Sequence, residues 1–333
     1  MADYSIRVQI ADITIRFESE LESDIDELDG FFKYHHADAS KGTDCTVVLK
    51  RQARFYMPKD AEMLWQSKRH GAEEPIGHVG GGRVTVYSNF DTFGLASCFV
   101  SQERGEYYYG LMQDKSWIRC RPKEHLIHYV LHQRPRRTRD EVPEIAHPLS
   151  GMPLLIHVIT TIFGRFLIHG AAVASDNRAF LFLGKSGSGK STLSTDLARR
   201  EAAFMGDDIV LVYMKDDIPM VGSLLLEAKL HVVGEKEKHN VDVPETMHAG
   251  YCLSAPLAAV YLVQQSGLQA STAEPRPSVE LLQHMLDASN GMMMQYDKQQ
   301  WLATMYAISE KVPFFVFKFG DREKLDISLL KTS

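Results

Sequence analysis

The first third of the chain is dominated by short stretches in which apolar and polar residues alternate. Ser5-Ile6-Arg7-Val8-Gln9-Ile10 is one such stretch, and Cys45-Thr46-Val47-Val48-Leu49 has a similar β-prone composition. Alternation with a period of two places every second side chain on the same face of a strand. The pattern therefore predicts a mostly β region from Tyr4 to about Met112.

Two local features refine this β region. Residues 96–100 and 107–112 flank Glu103-Arg104-Gly105, which predicts a hairpin. Apolar residues recur at helical spacing between 21 and 32, which predicts one helix there.

The second half of the chain mixes helical and strand patterns. Around a turn at Asp176-Asn177, the sequence predicts a helix at 149–163, a strand at 166–173 and a strand at 179–183. Further strands are predicted at 209–213, 258–263 and 313–319, and further helices at 278–287 and 298–309.

A change of composition separates the two regions. Residues 122–147 include Pro122, Pro143 and the basic run Arg134-Pro135-Arg136-Arg137-Thr138-Arg139. This composition is typical of a connector. We therefore expect a β-rich N-terminal domain at 1–145, suited to binding a substrate or partner, and a second domain at 148–333. The expected fold class is mixed, α+β or α/β.

Composition and charge narrow the class of protein. With 333 residues, 44% hydrophobic and 24% charged, the chain has the profile of a globular protein. Its formal net charge of −6 argues against nucleic acid as the main partner, because phosphate-backbone binding usually needs a basic face. The four cysteines lack CxxC spacing, which fits reduced thiols in the cytosol. No secretory signal or uninterrupted apolar span is evident, so we expect a cytoplasmic protein without membrane contact.

One motif carries specific chemistry. Residues 184–191, the glycine loop, satisfy GxxxxGK(S/T) at every position, between an apolar strand and a predicted helix at 191–201. Glycines let backbone N–H groups turn inward around a phosphate, and the helix N-terminus adds partial positive charge. Lys190 would reach the β- and γ-phosphates, and the Ser191 hydroxyl would hold Mg²⁺. The predicted nucleotide-binding residues are Gly184, Lys185, Ser186, Gly187, Ser188, Gly189, Lys190, Ser191 and Thr192.

Two adjacent carboxylates, Asp207 and Asp208, follow the predicted helix at the mouth of an apolar strand. If that end of the strand lies near the glycine loop, one carboxylate can hold Mg²⁺ while the other accepts the proton of an attacking hydroxyl. The alternative is a turn with two solvated aspartates.

His169 falls in the middle of the predicted strand at 166–173, where a buried imidazole needs a partner. A core histidine satisfied by the backbone is one interpretation. The other is a contact with Asp207 and Asp208, because the predicted strand would run next to the strand before the glycine loop.

These residues carry a family resemblance. The order His169-Gly170, the glycine loop, then Gly206-Asp207-Asp208 resembles the catalytic domain of bacterial HPr kinase/phosphorylase and its HPr-kinase-related relatives. The stretch from Gly187 to Asp196 is also similar to ATP-dependent phosphoenolpyruvate carboxykinase, which shares that fold. The resemblance covers about residues 148–330.

The resemblance implies a C-terminal P-loop kinase domain of the HPr kinase/carboxykinase type. It implies that Asp208 is the general base, that His169 assists it, and that Lys190 holds the phosphates. Leu226-Glu227-Ala228-Lys229-Leu230 is similar to the family's LE-x-R stretch, which implies Glu227 as a metal ligand beside Ser191 and Asp207. Here Lys229 stands where the family has arginine, and a solvated strand-edge glutamate is the alternative for Glu227.

The function expected is ATP- and Mg²⁺-dependent transfer of the γ-phosphoryl group to a serine or threonine hydroxyl of a protein or peptide. A ribosomal peptide natural product is one such acceptor, and relatives of this family assemble as oligomers, which makes a homo-oligomer a further expectation. Two alternatives stay open: a small-molecule kinase acting on free serine or a sugar, and an ATP-switched regulator without turnover.

Overall fold

The structure is a computed structural model, and two compact units are distinguished within it. One comprises residues 1–8 and 14–158, and the other residues 9–13 and 159–333. The residues described are 4–38, 40–52, 62–69, 72–78, 85–88, 98–103, 106–112, 156–157, 159–161, 163–231, 238–265, 271–289, 298–319 and 330. The predicted connector at 122–147 and the first half of the predicted helix at 149–163 lie outside these residues.

The described elements are nineteen strands and five labelled helices. The strands are β1 (Tyr4–Ile10), β2 (Ile13–Ser19), β3 (Cys45–Gln52), β4 (Glu62–Arg69), β5 (Ala72–His78), β6 (Thr85–Ser88), β7 (Cys98–Glu103), β8 (Glu106–Met112), β9 (Phe166–Ile168), β10 (Ala171–Ser175), β11 (Arg178–Leu183), β12 (Ala203–Gly206), β13 (Val210–Lys215), β14 (Ile218–Gly222), β15 (Glu227–His231), β16 (Lys238–Asp242), β17 (Ser254–Gln265), β18 (Thr272–Arg276) and β19 (Phe314–Phe319). The helices are α1 (Glu22–Phe31), α2 (Lys190–Arg200), α3 (Val243–Met247), α4 (Ser278–Ser289) and α5 (Lys298–Lys311).

The first unit is built on an eight-stranded sheet in the order β1-β2-β3-β8-β7-β6-β5-β4. The predicted hairpin is confirmed, since β7 and β8 pair antiparallel through Val100↔Tyr109. The predicted helix is confirmed as α1, and beside it the rings of Phe17 and Phe32 stack with centroids 5.7 Å apart. Both phenylalanines are buried, Phe17 on the alternating strand β2 and Phe32 at the end of α1, so the helix packs against the strand.

The second unit is built on a nine-stranded sheet with the path β12-β10-β11-β17-β14-β13-β9, and β18 and β19 extend it from β17. The sheet has two arms that meet at β17, one formed by β14, β13 and β9 and the other by β11, β10 and β12. Strand β17 is long enough to belong to both. Its first residues pair antiparallel with β14, through Ala255↔Val221. Its later residues pair parallel with β11, through Leu262↔Leu183.

Helices cover both faces of the central strands. On one face Leu181 and Leu183 pack in a cluster with residues of α4 and α5 such as Met285 and Met305. On the other, Phe180 and Phe182 pack with Leu193 and Leu197 of α2. A strand buried on both faces has a continuous apolar sequence rather than an alternating one, which explains the run at 179–183. The fold is thus a mixture of α and β elements, as expected.

The strand predicted at 166–173 is wrong as a single element. It breaks at His169-Gly170 into β9, which pairs with β13, and β10, which pairs with β11. The break has a steric reason, because a Cβ at Gly170 would lie 2.9 Å from the backbone oxygen of Phe182. Glycine allows this close approach while the chain passes from one arm of the sheet to the other.

The strands and helices predicted from residue 179 onward are confirmed, and their observed ends lie within four residues of the predicted ones. The turn at Asp176-Asn177 joins β10 to β11, and its φ angles of 51° and 58° are those of a two-residue hairpin turn. Among the described residues, no helix has the length and apolarity needed to cross a membrane.

Candidate active site

The glycine loop connects the end of β11 to the start of α2. Its first residue, Gly184, has φ +144°, and a Cβ there would lie 2.8 Å from Ser188 Oγ and 2.9 Å from the backbone oxygen of Val263. Only glycine fits this position without displacing backbone atoms. The parallel pairing of β11 with β17 therefore fixes where the loop begins.

Lys190 is buried inside the loop, with 6% of the residue exposed. Its Nζ donates hydrogen bonds to the backbone oxygens of Gly184 at 2.8 Å and Lys185 at 3.2 Å. The ammonium group is thus held at the centre of the loop. Ser191 and Thr192 occupy the first turn of α2, where backbone N–H groups lack partners within the helix and create a positive end.

The other loop residues predicted to bind nucleotide are distributed around this ammonium group. Gly189 is the N-cap of α2, and its left-handed φ of 100° turns the chain into the helix. Lys185, Ser186 and Gly187 are exposed, whereas Ser188 is partly buried. The loop therefore presents an open rim and a closed centre.

Asp207 lies between β12 and β13 and is only 7% exposed. The Ser191 hydroxyl lies close to its carboxylate, and the Lys229 backbone N–H donates to Oδ2 at 3.3 Å. Its Oδ1 is buried and has no hydrogen-bond partner among the described residues. Burial raises the pKa of this carboxyl group above its ordinary value. The arrangement leaves one buried carboxylate oxygen ready to bind a cation.

Asp208 is held in an unusual backbone conformation. Its φ is +69°, and the Ile209 N–H donates to the Asp207 backbone oxygen at 2.8 Å, closing a three-residue turn around it. Turns of this kind are rare in non-glycine residues and store strain. The turn directs the two adjacent carboxylates to different partners.

The Asp208 carboxylate, 39% exposed, contacts two basic side chains. His169 Nδ1 lies 3.1 Å from Oδ1, and Lys229 Nζ donates to Oδ2 at 2.7 Å. The same His169 nitrogen lies 2.8 Å from the Asp208 backbone oxygen. The hydrogen bond from His169, followed by that from Lys229, holds the pKa of Asp208 well below its usual range. Asp208 is therefore ionised at neutral pH.

His169 reaches Asp208 from the break between β9 and β10, not from within a buried strand as predicted. Its backbone N–H donates to the Ala288 oxygen at 2.9 Å, near the end of α4. About a third of its side chain is exposed. It is thus a partly exposed histidine whose Nδ1 contacts both the carboxylate and the backbone oxygen of Asp208, and it is not a core residue.

Glu227 and Lys229 lie two residues apart on β15, and both are exposed while Ala228 between them is buried. They therefore project from the same face of the strand. Among the described residues, no three His, Cys, Asp or Glu side chains converge into a metal cluster, so Glu227 is not gathered with Asp207 and Asp208 in one.

A cavity of about 640 Å³ lies beside the glycine loop. The loop side of its lining is formed by residues 183–186 and 188, and His169 forms part of its wall. The rest of its lining comes from α4 and from the end of β17, and it consists of Leu262, Val263, Gln264, His284, Asp287 and Ala288.

Sequence reasoning missed several of these residues. Lys229 appeared only as a departure from an expected arginine, and no sequence signal placed it beside Asp208. His284, Asp287 and Ala288 have the i, i+3, i+4 spacing of one helix face. No sequence signal indicated that this face meets the glycine loop.

Comparisons with known proteins give little further guidance. No protein-family model matches the chain, and no curated protein matches it either. Among solved structures, the HPr(Ser) kinase/phosphatase from Coxiella burnetii is similar at 14% identity with a TM-score of 0.32, covering 50% of this chain and 93% of that one. A likeness at this level establishes neither a family nor a function.

Proposed function

We propose that the chain is an ATP- and Mg²⁺-dependent kinase that transfers the γ-phosphoryl group to a serine or threonine hydroxyl of a protein or peptide. One observation carries the proposal. Asp207 is buried beside the Ser191 hydroxyl at the end of the glycine loop, and the next residue, Asp208, is an ionised carboxylate held by His169. A phosphate-binding loop and a potential proton acceptor are thereby linked through one pair of adjacent residues.

The glycine loop has the charges that a nucleotide tail needs. The Lys190 ammonium group and the N-terminus of α2 supply positive charge at the centre of the loop. Phosphate oxygens of ATP would take the place of the carbonyl oxygens that Lys190 contacts. The exposed rim leaves room for the nucleotide to enter.

Ser191 and Asp207 fit a magnesium ion. Mg²⁺ prefers hard oxygen ligands and shares them with substrate phosphates, so one hydroxyl and one carboxylate suffice on the protein side. The partnerless buried Oδ1 of Asp207 supports this fit. When bound, Mg²⁺ would neutralise charge on the β- and γ-phosphates. Glu227 stays a proposed additional ligand on the exposed face of β15.

In this proposal Asp208 accepts the proton. The acceptor oxygen attacks the γ-phosphorus, the bond to the bridging oxygen of ADP breaks, and the hydroxyl proton passes to Asp208. A low pKa suits this role, because proton transfer is late in phosphoryl transfer and the carboxylate must be ionised beforehand. His169 and Lys229 orient its two oxygens.

The test is a transfer assay with γ-labelled ATP, Mg²⁺, and either serine/threonine peptides or free serine. Asp208→Asn should lower transfer by about 100-fold or more while ATP binding, measured by calorimetry, is retained. Asp216→Asn is the matched control, because Asp216 is an exposed aspartate with φ +48° in the β13–β14 turn. Unchanged transfer in Asp208→Asn would end the proposal, and ATP binding without any turnover would favour the regulator.

A further inference from the structure

The cavity beside the glycine loop has two chemically different walls. On the loop side, Lys185 is a cation, and phosphates would lie along the same wall. On the α4 side, Asp287 is a carboxylate whose Oδ1 accepts a hydrogen bond from Gln283 Nε2 at 2.9 Å. A volume of about 640 Å³ is in the range of ligand sites.

His169 connects this cavity to the reacting groups. Its ring lines the cavity, and its Nδ1 contacts Asp208. The cavity also touches the first half of the glycine loop, at residues 184–186 and 188. A hydroxyl that approaches Asp208 along His169 would therefore come from this cavity, which makes it the route of the acceptor.

A backbone hydrogen bond joins the α4 wall to His169. His284, Asp287 and Ala288 face the cavity, whereas Leu281 and Met285 of the same helix are buried in the core. The Ala288 backbone oxygen accepts the His169 N–H at 2.9 Å. A group bound against this helix face is thus held at a fixed position relative to His169 and Asp208.

The cavity opens at the surface, because Lys185, Ser186 and Asp287 on its two walls are all exposed. An extended peptide can lie across such an opening and bring one of its side chains against the exposed Asp287. The carboxylate would favour a cationic side chain and repel an acidic one.

We propose that this cavity is the acceptor site and that Asp287 selects a serine- or threonine-containing segment with a lysine or arginine near the hydroxyl residue. The inference rests on the proposed kinase function and specifies its substrate class. The hydroxyl residue lies by His169 and Asp208, and the basic neighbour lies against α4.

The test uses the full chain, γ-labelled ATP and three sets of serine peptides that carry lysine, alanine or glutamate at positions flanking the serine. The wild type should prefer the lysine peptides. Asp287→Asn should raise KM for them by about fivefold, the scale of one exposed ion pair, and leave kcat and ATP affinity unchanged. Asp287→Lys should shift the preference to glutamate peptides, and Glu310→Gln, an exposed change on α5, should alter nothing.

Each contrary outcome separates the two proposals. Transfer to peptides that is indifferent to flanking charge, or a preference unaffected by Asp287→Asn and Asp287→Lys, overturns the acceptor site and leaves the kinase intact. Transfer to free serine but to no peptide overturns the acceptor site and replaces the peptide kinase with a small-molecule kinase. Absence of transfer to any acceptor, with ATP bound, removes both.

Discussion

Lys229 Nζ donates a 2.7 Å hydrogen bond to Asp208 Oδ2, while the backbone N–H of Lys229 donates to Asp207 Oδ2. One residue of β15 therefore contacts both aspartates. Its side chain is 55% exposed, so the ammonium group can leave Asp208 for a phosphate at small cost. The contact orients the Asp208 carboxylate, which is the proposed proton acceptor, and supplies a mobile positive charge next to it.

The first prediction concerns this contact. Lys229→Met should lower phosphoryl transfer by about 10-fold, because Asp208 loses an orienting donor and the transition state loses a charge. Lys229→Arg should retain most of the activity, since it keeps the charge and a donor. Steady-state transfer assays measure both variants.

The matched control is Lys311→Met. Lys311 pairs with Asp217 at a site away from the glycine loop, so its loss removes an exposed lysine–aspartate pair of the same kind. Equal losses in Lys229→Met and Lys311→Met would mean that the effect is a general one of surface charge.

A second prediction concerns Gly184. Gly184→Ala should abolish ATP binding, because the new Cβ would collide with the Val263 backbone oxygen and with Ser188 Oγ at a left-handed φ. The loop would have to shift away from β17. Isothermal titration with ATP measures the loss, and Gly187→Ala, at a position with open space around its Cβ, should have the smaller effect. Equal affinities in both variants would contradict the prediction.

A third prediction separates the roles of the two aspartates. Asp207→Asn should remove the Mg²⁺-dependent gain in ATP affinity, because the buried carboxylate oxygen is lost. Its thermal stability should be unchanged or higher, since burial already raises the pKa of Asp207 and disfavours the charged form. Calorimetry with Mg²⁺ and with EDTA provides the comparison. Glu227→Gln in parallel tests the additional ligand, and an unaltered Mg²⁺ response in Asp207→Asn would exclude Asp207 as a ligand.

A fourth prediction concerns pH and stability through His157. Burial lowers its pKa from 6.5 to about 4. The unfolded chain therefore takes up a proton below 6.5 that the folded chain refuses, so stability present above that value is lost as the pH falls toward 4. The free energy of unfolding, measured by urea titration, should fall between about pH 7.5 and about pH 5. This fall should be smaller in His157→Leu than in the wild type, by up to about 2 kcal/mol. An identical pH dependence in both proteins would show that the pKa of His157 is not lowered in the fold.

Much of the second unit followed from periodicity alone. The strands at 179–183 and 313–319 and the helices at 278–287 and 298–309 have strong patterns, and each is present. These elements bury apolar faces that local sequence already specifies.

The break at His169-Gly170 did not follow from periodicity. Its cause is the approach of Gly170 to the backbone of β11, a contact between strands that single-sequence patterns do not contain. The same limit applied to Lys229 and Asp287. Both are exposed charged residues on regular elements, and only the tertiary fold places them beside Asp208 and the glycine loop.

Strand β17 pairs with β14 near its start and with β11 near its end. The first arm leads to β13, directly after the aspartates, and the second leads to the glycine loop. Unfolding of this one strand would release the glycine loop and the two aspartates together. We therefore expect the amides of β11, β13 and β17 to exchange hydrogen in one cooperative event. Under the proposed function, this cooperative opening would keep the protein from binding ATP at the glycine loop after the proposed base, Asp208, has been lost.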